Sequence, residues 1–161
     1  MKSLVLYIED NKFDQLLVSN FLHKHGIECE IAVNLEEGKK SIEKNYYDAV
    51  ITDFQLPDGT GMEIVRNYFE KCPILFPTGS GDEMLAVEAM KAGAVDYFVK
   101  DPNQNYLELI ITHNTCYRHT AAPTERSYIP PFEGGKHTGI HILNCNCACA
   151  AIAFSLSVGM V

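Results

Sequence analysis

Short apolar runs and helical repeats alternate along the first 118 residues. Leu4-Val5-Leu6-Tyr7-Ile8 is apolar throughout, as in a strand covered on both faces. It stops at Glu9-Asp10. Asn11 then stands where a helix N-cap belongs, and Asp14 falls in the first turn. Phe13, Leu16, Leu17 and Phe21 recur at helical spacing and predict one buried face, with Gly26 as the stop. His23 and His25 lie two apart, so their side chains diverge and read as a solvated helix end rather than a metal pair. Glu28-Cys29-Glu30-Ile31-Ala32 alternates like an edge strand. Asn34 caps a second helix through about Asn45, with Leu35, Gly38 and Ile42 inward. Ala49-Val50-Ile51 is a third, buried strand running into Asp53. Pro57, Gly59 and Gly61 then break the pattern. Met62, Ile64, Val65 and Phe69 mark a third, short helix. Pro73-Ile74-Leu75-Phe76 is a fourth strand. Asp82 to Ala92 is a fourth helix, stopped by Gly93, and Val95 to Val99 a fifth strand. Leu107, Ile110 and Ile111 belong to a fifth helix ending near Arg118.

Five strands alternating with five helices predict an α/β, doubly wound, flavodoxin-like fold: a five-stranded parallel sheet in the order 2-1-3-4-5. That order brings the ends of strands one and three side by side, so Glu9, Asp10 and Asp53 are expected at one rim. Each pair of carboxylates near 4 Å costs about 4 kcal/mol at an effective dielectric of 20. Such a cluster needs a cation or raised pKa values. All-oxygen ligands with open positions suit Mg²⁺, with the backbone carbonyl of Gln55 completing the shell. Thr78 follows strand four and Lys100 follows strand five, on the same rim. A hydroxyl and an ammonium around a metal-bound carboxylate are what a phosphorylated Asp requires. Taken singly, Asp53 reads as a cap or Asx-turn, Thr78 as a turn residue and Lys100 as a surface charge. Their joint arrival at strand ends is what argues for chemistry.

Composition narrows the class. The chain has 161 residues, 47% of them apolar, and a formal net charge of −8. No basic stripe suggests a nucleic-acid partner. The first apolar run ends too soon for a secretion signal, so a cytoplasmic location is expected. Cys29, Cys72 and Cys116 are scattered singly, as reduced thiols are.

The chain from about Leu4 to Arg118 resembles the receiver domain of two-component response regulators, similar to the chemotaxis regulator. The resemblance rests on Tyr7-Ile8-Glu9-Asp10-Asn11, on Asp53 with Leu56-Pro57-Asp58-Gly59-Thr60-Gly61, and on Thr78-Gly79-Ser80-Gly81-Asp82-Glu83. It continues through Ala86-Val87-Glu88-Ala89-Met90-Lys91-Ala92-Gly93-Ala94 and Asp96-Tyr97-Phe98-Val99-Lys100. It implies that Asp53 is the phosphoacceptor and that Glu9, Asp10, Asp53 and the Gln55 carbonyl hold Mg²⁺. Thr78 and Lys100 then contact the phosphoryl group, and Tyr97 is the aromatic switch residue. A sensor histidine kinase or phosphotransfer protein is the implied donor, and a downstream protein or missing output domain the receiver of the signal. A homodimer is a further implied partner state. The resemblance implies a signalling domain whose only reactions are self-catalysed phosphoryl transfer and hydrolysis. The switch surface is helix four, strand five and helix five. Moving such a switch from 1:99 to 99:1 takes about 5.5 kcal/mol. Two charge-assisted hydrogen bonds at about 1.5–3 kcal/mol each come close.

Pro77 departs from the pattern by removing a donor from an interior strand, and Asp101 stands where a proline usually follows the lysine. A receiver-like module that works without phosphorylation is the alternative. An aspartyl phosphatase is disfavoured, because Gln55 stands where that class carries its second Asp. Residues 1–119 are assigned to the receiver domain, and 120–161 to a linker with an apolar tail. That tail is rich in small residues and carries Cys145, Cys147 and Cys149 in alternation. Zinc sites use wider pairs, and Asn144, Asn146, Ser155 and Ser157 weaken a membrane reading.

Overall fold

The protein is described by a computed structural model covering residues 3–79, 83–100 and 102–111, with Thr78 and Glu83 described by their backbone alone. The chain divides into Met1–Ile111 and Thr112–Val161. The boundary near residue 119, the tail cysteines and Cys116 lie outside the described residues.

The sheet strands are β1 (Ser3–Ile8), β2 (Ile27–Ala32), β3 (Ala49–Thr52), β4 (Ile74–Thr78) and β5 (Asp96–Val99). The helices are α1 (Lys12–Lys24), α2 (Leu35–Lys44), α3 (Met62–Tyr68) and α4 (Glu83–Ala92), with residues 106–111 opening α5. In these labels all five strands pair parallel in the order β2-β1-β3-β4-β5, as the periodicity predicts. A two-residue antiparallel bridge, Gln55–Leu56 with Gly59–Thr60, folds the segment after β3 back on itself.

Alternate strand residues feed two cores. Leu6, Ile8, Val50, Ile74 and Phe76 pack against Leu35 and Ile42 of α2, Ile64 and Val65 of α3 and Ala89 of α4. Val5, Tyr7, Ile51, Leu75 and Phe98 face Val18 and Leu22 of α1 and Leu107 and Ile110 of α5. Both faces of the sheet are therefore covered, which explains the unbroken apolar strands.

Helix α1 corrects the periodicity reading. Phe13 and Leu16 are 70% and 61% exposed, while Val18 and Leu22 are fully buried. Leu17 and Phe21 are half-buried against the core. At about 100° per residue, Leu17, Val18, Phe21 and Leu22 share one face, Leu16 points nearly opposite to it, and Phe13 lies at its edge in the first turn. The helix ends behave as expected. The Asn11 side chain accepts from the N–H groups of Phe13 and Asp14, and Gly26 takes φ +74° just past the end.

At α2 the first three helical N–H groups, which have no partner within the helix, are all satisfied, and the fourth opens the helical ladder. Asn34 Oδ1 accepts from Glu37 at 2.8 Å, and its carbonyl accepts from Gly38 at 3.1 Å. The other two are taken from a distance: Asp58 accepts from Leu35 at 2.7 Å and from Glu36 at 2.9 Å. Desolvation alone would raise the Asp58 pKa, but the amide bonds from Leu35, Glu36 and its own backbone, with the charge of Lys39, together lower it.

Pro77 is accommodated inside β4, which runs on to Thr78 rather than ending at Phe76. Val50 N–H bonds Pro73 O and Val95 N–H bonds Ile74 O. Successive residues of a strand face opposite neighbours, so residues 73, 75 and 77 face β3. The missing donor therefore points to where β3 is ending. The β3–β4 pairing stops at Ile51 with Leu75, while β4–β5 pairing continues to Thr78 with Val99. The proline shortens one ladder and leaves the other intact.

Candidate functional site

The sheet register determines which side chains meet. Ile8 pairs with both Ala32 and Thr52, so β1 and β3 end level. Backbone bonds run one residue further: Glu9 N–H donates to Ala32 O and Asp53 N–H donates to Ile8 O, both at 3.0 Å. Glu9 and Asp53 thus leave the sheet from fixed backbone on adjacent strands. Lys100 follows β5 at the same rim.

The Lys100 ammonium joins the elements. Its Nζ lies 2.6 Å from Glu9 Oε2, 3.0 Å from Asp53 Oδ1 and 3.1 Å from Asp14 Oδ2. Burial alone would lower its pKa. The hydrogen bond to Glu9 and the charges of Asp53 and Glu9 outweigh that, holding the group above the ordinary lysine value. Glu9 is only 2% exposed. It also accepts from the Tyr7 hydroxyl at 2.9 Å and the Asn11 N–H at 3.1 Å. Burial, and then the Glu9 charge, keep the Tyr7 phenol protonated far above its usual range.

Asp10 is exposed, one residue beyond Glu9. Among the described residues no side chain is bonded to its carboxylate. Gln55 is exposed in the short bridge, paired with Thr60. Tyr97 is half-buried on β5, opposite Phe76, and its backbone N–H bonds Asp96 Oδ1 at 2.8 Å. The Thr78 backbone ends β4 beside Val99; its hydroxyl lies outside the described atoms. The structure therefore brings Glu9, Asp53 and Lys100 together and leaves Tyr97 within β5, three residues before Lys100.

Asp14 and Tyr7 join the site without having been singled out for it. For Asp14 a signal was present: a helix starting directly after a strand carries its first turn over the rim. Gly61 matters for a different reason. A Cβ there would stand 2.1 Å from the Asp53 carbonyl oxygen and 2.7 Å from Thr52 Oγ1. Only glycine lets the returning chain pass the Asp53 backbone so closely.

One ammonium stands against the carboxylates of Glu9, Asp14 and Asp53, with Asp10 next in sequence. Among the described residues no three His, Cys, Asp or Glu side chains form a ready metal cage. Mg²⁺ does not require one, since it commonly takes one or two carboxylates and keeps waters. The donor set is all oxygen and its charge is in excess, so it fits a hard divalent cation.

The family of response regulator receiver domains matches residues 5–112. The photosynthetic apparatus regulatory protein RegA of Rhodobacter capsulatus is 35% identical over 107 residues, which is 65% of this chain and 58% of that protein. The chain spans about half the length of several curated relatives it matches. A two-component response regulator from Clostridium difficile superposes with a TM-score of 0.65 at 26% identity, covering 71% of this chain and 96% of that one. A Burkholderia pseudomallei response regulator, described with a phosphorylated aspartic acid, a calcium ion and citrate, has a TM-score of 0.62 at 24% identity. That match covers 69% of this chain and 65% of that one. Among the described residues no helix is long and apolar enough to cross a membrane.

Proposed function

The chain belongs to the response regulator receiver domain family, and on that premise we propose that it takes a phosphoryl group onto Asp53 from a phosphohistidine donor. The observation that carries this reading is the Lys100 ammonium held between Asp53 and Glu9, at 3.0 and 2.6 Å. In the transfer, an Asp53 carboxylate oxygen attacks phosphorus, the O–P bond forms and the N–P bond breaks. The imidazole leaves with the electron pair. Lys100, half-buried and protonated, offsets charge on the incoming phosphoryl oxygens.

Asp10, Asp53, Glu9 and the Gln55 carbonyl would hold Mg²⁺. When bound, that ion neutralises negative charge on the phosphoryl group. Glu9 keeps Lys100 charged and aimed at Asp53, while Tyr7 and the Asn11 amide fix Glu9 in turn. Thr78 donates its hydroxyl to the phosphoryl group, and Tyr97 reports the change by turning inward on the face formed by α4, β5 and α5. A sensor histidine kinase or phosphotransfer protein in the cytoplasm is the proposed donor. The output is a separate protein or domain, or a second copy of the receiver.

The direct test is incubation with acetyl phosphate and Mg²⁺, followed by intact-mass measurement of wild type and Asp53→Asn. A single-phosphoryl adduct on wild type alone is expected. Equal labelling of both proteins removes Asp53 from the role.

A further inference from the structure

We propose that Asp14 is a positioning residue, a releasable counter-anion that holds Lys100 until the phosphoryl group claims it. The inference rests on the phosphoacceptor reading of Asp53 and deepens it. An ammonium has three N–H donors. Two of them are hydrogen-bonded, to Glu9 at 2.6 Å and to Asp14 at 3.1 Å, while Asp53 Oδ1 stands 3.0 Å away as an ion pair. A phosphoryl oxygen arriving on Asp53 therefore competes with Glu9 and Asp14 for the ammonium, and drawing the lysine toward it lengthens one of those two hydrogen bonds.

The three acceptors differ in how easily they release the lysine. Glu9 is 2% exposed and already carries the Tyr7 hydroxyl and Asn11 amide, so loss of its cation would strand a charge in the interior. Asp53 is the nucleophile and carries the phosphoryl group itself. Asp14 has the longest contact and is the most open of the three, with its side chain 25% exposed against 19% for Asp53. Its carboxylate can exchange the ammonium for water at little cost. It is also anchored independently of Lys100, in the first turn of α1, where Asn11 Oδ1 accepts from the Asp14 N–H. Release of the lysine leaves that anchor in place. Asp14 thus competes with the phosphoryl group for one donor, and its charge should weaken the phosphorylated state.

The test is beryllofluoride titration in saturating Mg²⁺, followed by nuclear magnetic resonance, on wild type, Asp14→Asn, Asp14→Ser and Asp14→Glu. Glu36→Gln serves as a charge control on the exposed start of α2. Removing the Asp14 charge is expected to tighten beryllofluoride by about five-fold, the equivalent of one partly exposed ion pair. Asp14→Ser supplies the same answer if Asp14→Asn folds poorly, and Asp14→Glu should return the wild-type value. Unchanged or weaker binding in both neutral variants overturns the proposal. So does equal tightening in Glu36→Gln, which would assign the effect to net charge. If wild type binds no beryllofluoride, the phosphoacceptor reading fails first and this inference with it.

Discussion

Lys100 Nζ and Glu9 Oε2 are 2.6 Å apart across the ends of strands β5 and β1, with the carboxylate sealed from solvent. The pair is as much a structural requirement as a chemical one. Lys100→Met leaves Glu9 buried without its cation, beside Asp53 and Asp14. A loss of about 3 kcal/mol is expected in metal-free buffer at pH 7. Urea titration measures it, and adding Mg²⁺ should narrow the gap if the proposed ligands hold the ion.

Gly61→Ala tests the backbone crossing behind Asp53. The added methyl would overlap the Asp53 carbonyl oxygen at 2.1 Å, and neither partner is a flexible side-chain tip. A destabilisation of about 2–3 kcal/mol is expected, in line with overpacking elsewhere. Acetyl phosphate labelling should fall with it, because the shifted atoms carry Asp53, the proposed phosphoacceptor. A thermal melt unchanged from wild type would contradict the crossing.

The α1 surface gives a contrast within one helix. Phe13→Ser and Leu16→Ser should each change stability by less than about 0.5 kcal/mol. Leu22→Ala should cost about 2–5 kcal/mol, because it empties a closed site in the core. Chemical denaturation of the three variants separates the two groups.

Cys29 sets an alkaline signature. Burial, and then the charge of Glu30, push its thiol from 9.0 up to about 12. The folded chain therefore keeps a proton that the unfolded chain loses. That stabilisation is complete below about pH 9 and is lost as pH rises toward about 12, at up to about 1.4 kcal/mol per pH unit. Cys29→Ala should show a flatter stability profile between pH 9 and 11 than wild type.

Much of this arrangement was legible because it is local. Asn11 and Asn34 announce their helices through short-range bonding, and Val50 and Ile51 announce a strand buried on both sides. Once five such strands alternate with helices, their order puts Glu9, Asp53 and Lys100 on one rim. What escaped depends on distant partners. Phe13 and Leu16 fit a helical repeat with Leu17 and Phe21, yet the face that packs is centred on Val18 and Phe21 and turns Leu16 away. Asp14 reads as a first-turn acid until Lys100, 86 residues away, is seen to reach it. Pro77 reads as a strand breaker until the ladder shows which neighbour its nitrogen faces.

The bracket that Asp58 places on Leu35 and Glu36 carries a consequence for assembly. The first turn of α2 borrows its acceptor from a residue made 22 or more positions later, so the helix is sealed only once the chain has crossed the sheet and turned back. The same carboxylate sits five residues after Asp53. The start of α2 and the loop beside Asp53 therefore share one pair of hydrogen bonds, so that opening the loop also uncaps the helix.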